Sequence, residues 1–127
     1  NALAKELGND GEGVIVTQVV PHYEHDLPAV TEYRDALKEF DAAAQPGFVS
    51  LEGFIVAKLF AEGLKKAGAK PTRESIIDAL EGLNNVDVGI GTPISFNKQK
   101  HQGSQTVWPT RIRNGKFESF QWNQLSG

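Results

Sequence analysis

Gly47-Phe48-Val49-Ser50-Leu51-Glu52-Gly53-Phe54-Ile55-Val56-Ala57-Lys58-Leu59-Phe60-Ala61-Glu62-Gly63-Leu64-Lys65-Lys66-Ala67-Gly68 is the stretch on which the fold turns. It reads as one long helix. Pro46 and Gly47 interrupt whatever precedes it, and Ser50 is a residue type that caps helix N-termini through its hydroxyl. Glu52 is expected in the first turn and Lys65 and Lys66 in the last, each charge matching its end of the helix dipole. Gly68 is the expected left-handed stop. Leu51, Phe54, Ile55, Leu59 and Phe60, broadened by Val56 and Leu64, make an apolar face too wide for a surface helix.

Upstream, residues 2–7 read as the end of a helix stopped by Gly8. Residues 14–20 (Val-Ile-Val-Thr-Gln-Val-Val) form a β-branched run between Gly13 and Pro21. A nearly unbroken run of this kind predicts a parallel-sheet strand buried on both faces. Residues 21–28 read as a loop, and Pro28 suits the first turn of a helix carrying Val30, Tyr33, Leu37 and Phe40 at helical spacing.

Downstream of Gly68, Thr72 is a good cap for a further helix with Glu74 in its first turn and Ile76, Ile77, Leu80 and Leu83 on its apolar face. The texture then changes. Residues 94–96 read as a short strand, and residues 106–113 and 116–122 as two strands joined by Asn114-Gly115, a strong hairpin signal. Pro109 predicts that its strand is an edge or is bulged, since it cannot donate to a ladder.

The chain has 127 residues, enough for one modest core, and a net charge of -3. That charge, with no Lys/Arg cluster, excludes nucleic acid as the main partner. No apolar run is long enough to span a bilayer. There is no Cys, so thiolate chemistry and disulfides are excluded. There is also no Met and the first residue is Asn1, which leads to the expectation that the chain was processed or cut from something longer.

Candidate chemistry is sparse. His22, His25 and Asp26 invite a metal reading, but zinc needs three or four ligands and His101 is the sole further histidine. The simpler reading is a solvated loop with exposed histidines. Glu52 has no evident partner for acid–base work, and Ser50 has no adjacent base or nucleophile elbow. Gly89-Ile90-Gly91 follows no strand and opens no helix, so it is not a phosphate loop. Trp108 and Trp122 read as core of the hairpin rather than as stacking platforms. No catalytic constellation and no cofactor emerges, which points to a binding protein rather than an enzyme. A lone parallel-type strand, three helices and a hairpin without cover together indicate part of a larger α/β protein.

The ordered set of residues 13–21, 28–33, 48–54 and 71–75 with His101-Gln102-Gly103-Ser104 resembles the C-terminal third of a periplasmic solute-binding protein of the branched-chain amino-acid (Leu/Ile/Val-binding) type that feeds ABC transporters. The resemblance implies a fragment of a periplasmic-binding-protein type I fold, in which two α/β lobes joined by three crossover strands close on a ligand. It divides the chain into residues 1–20 (end of the second lobe and a crossover strand), 21–93 (first-lobe helices) and 94–127 (crossover and second-lobe hairpin). It implies an amino acid or similar small ligand, a membrane permease and the missing N-terminal part as partners, and a periplasmic or lipid-anchored extracytoplasmic location. Of the ligand-lining positions it carries over Phe48, near the ligand side chain, and, more weakly, Tyr23 at the cleft rim; core packing of Phe48 stands as the alternative. Gln18 reads as structural. A ligand-sensing regulatory domain or receptor ectodomain on the same fold is the alternative function. Studied alone, such a chain is expected to associate through uncovered strand edges and apolar faces.

Overall fold

The computed structural model describes residues 2–125. Helix α1 (Ala2–Leu7) runs into a 3-10 turn at Gly8–Gly11, followed by strand β1 (Ile15–Gln18). Helices α2 (Pro28–Phe40), α3 (Phe48–Ala67) and α4 (Arg73–Glu81) come next, and strands β2 (Trp108–Arg113) and β3 (Lys116–Ser119) close the chain before a 3-10 turn at Trp122–Leu125.

The three strands form one antiparallel sheet in the order β1-β2-β3. This corrects the parallel reading of residues 14–20. Only Ile15–Gln18 is strand, its exposure alternates, and its partner is β2, with Ile15 opposite Arg111 and Gln18 opposite Trp108. An apolar run does not reveal whether its partner is parallel or lies ninety residues downstream. Thr110, fully buried, locks this pairing: its hydroxyl donates to the Val16 carbonyl at 2.7 Å and lies 3.5 Å from the Gln18 amide nitrogen. Gln18 is thus structural.

The hairpin turn is as expected, with Asn114 at φ 50° and Gly115 at φ 72°, the pair of positive values a two-residue type I′ turn requires. Pro109, however, lies in the central strand, opposite Thr17. It is tolerated because its carbonyl faces β3, where it accepts Phe120 N–H at 3.3 Å; the missing donor therefore points past the end of β3.

Helix α2 starts with Pro28 at its first turn, as the sequence indicates. Val30 and Tyr33 are buried, but Phe40 is 87% exposed at the last helical position, a correction to the expected stripe. Helix α3 begins three residues earlier than expected. Its N-cap is Gly47, not Ser50, and Glu52 consequently falls outside the first turn. Lys65 and Lys66 do occupy the last turn, and Gly68 ends the helix at φ 89°. Helix α4 is capped by a reciprocal Thr72–Ser75 pair, and it approaches α3 at Gly63, where a Cβ would lie 2.5 Å from a Leu80 methyl. The expected strand at residues 94–96 reduces to a single bridge between Val86 and Ile94.

Two hydrophobic clusters result. The larger joins Val20, Ala29, Val30, Tyr33, Leu51, Ile55, Val88, Ile90 and Ile94, so it is built by α2, α3 and the loop that follows α4. The smaller joins Ala4, Ile112 and Phe117, between α1 and the hairpin.

Candidate functional site

The candidate site lies around the start of α3. Tyr33, buried on α2, reaches this point with its hydroxyl: the oxygen accepts Gly47 N–H at 3.0 Å and pairs with the Ser50 hydroxyl at 2.6 Å. A tyrosine from one helix thereby satisfies an orphan donor at the end of another. Phe48, the next residue, is held in a defined place as a consequence.

Phe48 packs against both hydrophobic clusters. Its ring meets Tyr23 at 4.9 Å, His22 at 5.3 Å and Phe117 at 5.7 Å between centroids, all in edge-to-face arrangements favoured by the ring quadrupoles. It therefore sits where the helical part, the loop after β1 and the hairpin converge. Tyr23 is half-buried, and Arg34 of α2 holds its loop by donating to the carbonyls of Tyr23 and His25, each at 3.4 Å.

His22 is the residue that sequence reasoning misplaced. It is not exposed but 5% accessible. Its Nε2 lies 2.9 Å from the Phe117 carbonyl, and its Nδ1 accepts Glu24 N–H at 3.2 Å. An Nδ1 that accepts leaves Nε2 to donate, which fixes the tautomer. The Phe117 carbonyl needs such a donor. Opposite it, Ile112 directs both its backbone groups towards β1, bonding Gly13 and Val14, so Phe117 faces the open edge of β3. His22 thus ties the loop after β1 to the hairpin. Both of its nitrogens are engaged, and among the described residues no group of three or more His, Cys, Asp or Glu is placed to hold a metal ion. His25 lies 6.1 Å from the His22 ring, and burial, then the proximity of His22, lowers its pKa.

Glu52 is exposed and Ser50 is engaged with Tyr33, so neither forms an acid–base or nucleophilic pair. Gly103 of the His101-Gln102-Gly103-Ser104 motif has a packing reason: a Cβ there would lie 2.7 Å from both Ile94 and Phe96. Gly89, at φ 86°, lets its carbonyl accept Ala29 N–H at 3.0 Å at the start of α2. Two shallow grooves, of 260 Å³ beside Ile77, Leu80, Phe96 and His101 and of 230 Å³ beside Val19, Val56 and Val107, include neither Phe48 nor Tyr23. The aromatic cluster is a wall, not an enclosed pocket.

Residues 1–116 match the model of the periplasmic binding protein family. Among solved structures, a possible leucine/isoleucine/valine-binding protein from Rhodopirellula baltica SH 1 is 40% identical over 99% of this chain, with a TM-score of 0.91. A substrate-binding periplasmic protein from Ralstonia solanacearum is 31% identical over 93% of it, with a TM-score of 0.81. A branched-chain amino acid ABC transporter structure from Thermus thermophilus with bound valine shares the fold at 18% identity, 94% coverage and a TM-score of 0.73. This chain spans about a third of each of these proteins, namely 34%, 35% and 35%. No curated protein matches. No helix among the described residues is long and apolar enough to cross a membrane. The chain belongs to the periplasmic binding protein family, with the mixed α/β architecture of part of its type I fold.

Proposed function

We propose that this chain is the C-terminal third of the substrate-binding component of an ABC importer, and that it supplies one wall of a cleft for an amino acid or similar small organic molecule. The observation that carries the reading is Phe48, the aromatic side chain shared by the two hydrophobic clusters. The division at residues 1–20, 21–93 and 94–127 belongs to the same proposal, with the larger cluster centred on the middle segment and reaching Val20 and Ile94 on either side of it. The larger draws on residues 20–94 and the smaller on Ala4, Ile112 and Phe117. A ligand side chain seated between two lobes would meet Phe48, with Tyr23 beside it at the rim. An apolar aromatic wall suits a hydrophobic moiety, while polar groups for the charged end of an amino acid would come from the remainder of the fold. The protein would work outside the cytoplasm and deliver its ligand to a membrane permease after hinge closure. The Rhodopirellula and Thermus proteins, named for leucine, isoleucine and valine or holding valine, support the choice of ligand class.

The test is calorimetric titration of the gene product containing this chain with valine, leucine, isoleucine, phenylalanine and small amides. Saturable binding of one of them, weakened about tenfold or more by Phe48→Ala through loss of apolar contact, is expected. Absence of binding by the whole panel overturns the ligand class. Unchanged affinity in Phe48→Ala removes Phe48 from the site.

A further inference from the structure

Helix α3 has two places at which to start. Ser50, with Glu52 behind it, is a capping type, yet the helix begins after Gly47, three residues earlier, and no side chain caps it there. What separates the two starts is Tyr33. Its hydroxyl oxygen accepts Gly47 N–H at 3.0 Å and lies 2.6 Å from the Ser50 hydroxyl, which in turn donates to the Gly47 carbonyl at 3.3 Å. With the Ser50 proton on that carbonyl, the Tyr33 proton goes to the Ser50 oxygen, and a ring of bonds closes from Gly47 N–H to Gly47 C=O through two hydroxyls. One phenol thereby satisfies the orphan donor of the early start and engages the oxygen that the late start would use.

Beyond the packing of Phe48 itself, the early start has modest support. Val49, Ser50, Glu52 and Gly53 are exposed, so water can take up their backbone groups, and a glycine at position 53 weakens the first turns. In a helix capped at Ser50, the Ser50 oxygen would accept Gly53 N–H, and the bond from Leu51 N–H to the Gly47 carbonyl, now 3.1 Å, would be lost. Phe48 would fall outside the helix and leave the place where its ring meets Tyr23, His22 and Phe117. We propose that Tyr33 is the positioning residue of the candidate site: its hydroxyl selects the early start of α3 and so fixes Phe48 in the wall that faces the ligand. This role of Tyr33 rests on the reading of Phe48 as a ligand contact.

The test is Tyr33→Phe, which keeps the buried ring against Phe54 and deletes the hydroxyl. It would be made in the gene product containing this chain, alone and together with Phe48→Ala, and each variant titrated with valine, leucine and isoleucine in turn. Amide hydrogen exchange supplies a second readout that needs no ligand. Exchange at Leu51 should quicken about fivefold or more, the equilibrium factor that one hydrogen bond commands, while Ile55 and Leu59, further along α3, keep the parent rates. Affinity should fall by a similar factor in the parent background, and the double variant should bind no more weakly than Phe48→Ala alone, since no ring remains to be placed. Equal weakening in both backgrounds would make Tyr33 a general structural residue and overturns the proposal. So does Leu51 exchange at the parent rate, and so does faster exchange along the whole helix. If no amino acid of the three binds, or if Phe48→Ala leaves affinity unchanged, the reading of the site fails and the positioning role fails with it. Leu51 exchange then decides separately whether Tyr33 selects the helix start, so the two failures are told apart.

Discussion

His22→Phe isolates what the buried imidazole does beyond filling space. The ring remains to pack against Tyr23 at 4.3 Å and Phe48 at 5.3 Å, but both hydrogen bonds go. Glu24 is exposed, so its N–H recovers a bond to water. Phe117 is only 7% accessible and its carbonyl points off the open edge of β3, so it is left partly unsatisfied. A buried acceptor without a partner costs about 1–3 kcal/mol. His22→Ala removes the ring as well, and the cavity left among aromatic neighbours adds about 2 kcal/mol more. For a chain of this size, His22→Phe should lower the melting temperature by roughly 4–12 °C, at about 4 °C per kcal/mol. Urea unfolding followed by circular dichroism reads the difference, with both variants compared at neutral pH. If His22→Phe is as stable as the parent while His22→Ala is not, the imidazole is packing alone and the proposed tie between loop and hairpin is wrong.

Leu51 has no accessible surface and lies at the centre of the larger cluster, so Leu51→Ala should cost about 2–5 kcal/mol in the same unfolding assay. Gly89→Ala should be destabilising and should not be rescued by any small side chain, because a Cβ would meet Ala29 N at 2.8 Å and φ is 86°; melting temperatures of Gly89→Ala and Gly89→Ser check this. His25 has a folded pKa lowered by burial and by His22, so the unfolded chain takes up its proton first. Its contribution to stability is present above the ordinary imidazole value of about 6.5 and is lost as pH falls through the lowered folded value. Melting curves between neutral and mildly acidic pH should therefore slope downwards towards acid, less steeply in His25→Gln.

What the sequence discloses here depends on distance along the chain. Helices α2, α3 and α4 and the Asn114-Gly115 turn were legible because caps, periodicity and turn residues act within a few positions. The pairing of β1 was not, because its partner β2 begins ninety residues later and an apolar run carries no mark of strand direction. The start of α3 was misread for a similar reason. Ser50 is a good cap by type, but Tyr33 from another helix satisfies Gly47, and the helix begins there instead. Phe48 enters the proposed site through the ordered family motifs alone, and its neighbours in the fold are not legible in the sequence. His22 and Phe117 are 95 residues apart, and nothing local to His22 distinguishes a buried histidine from an exposed one. Pro109 shows the limit of a sound rule: the missing donor excludes only the one ladder position it faces, and here that position lies past the end of β3.

The measurement that bears most directly on the account is small-angle X-ray scattering of the gene product containing this chain, with and without saturating amino acid from the calorimetric panel. Two lobes closing on a ligand predict a smaller radius of gyration in the bound state, and the same scattering from Phe48→Ala at saturation, since that variant changes affinity rather than the hinge. A radius of gyration that does not change on saturation would contradict closure around a ligand, and with it the claim that Phe48 belongs to a cleft between two lobes.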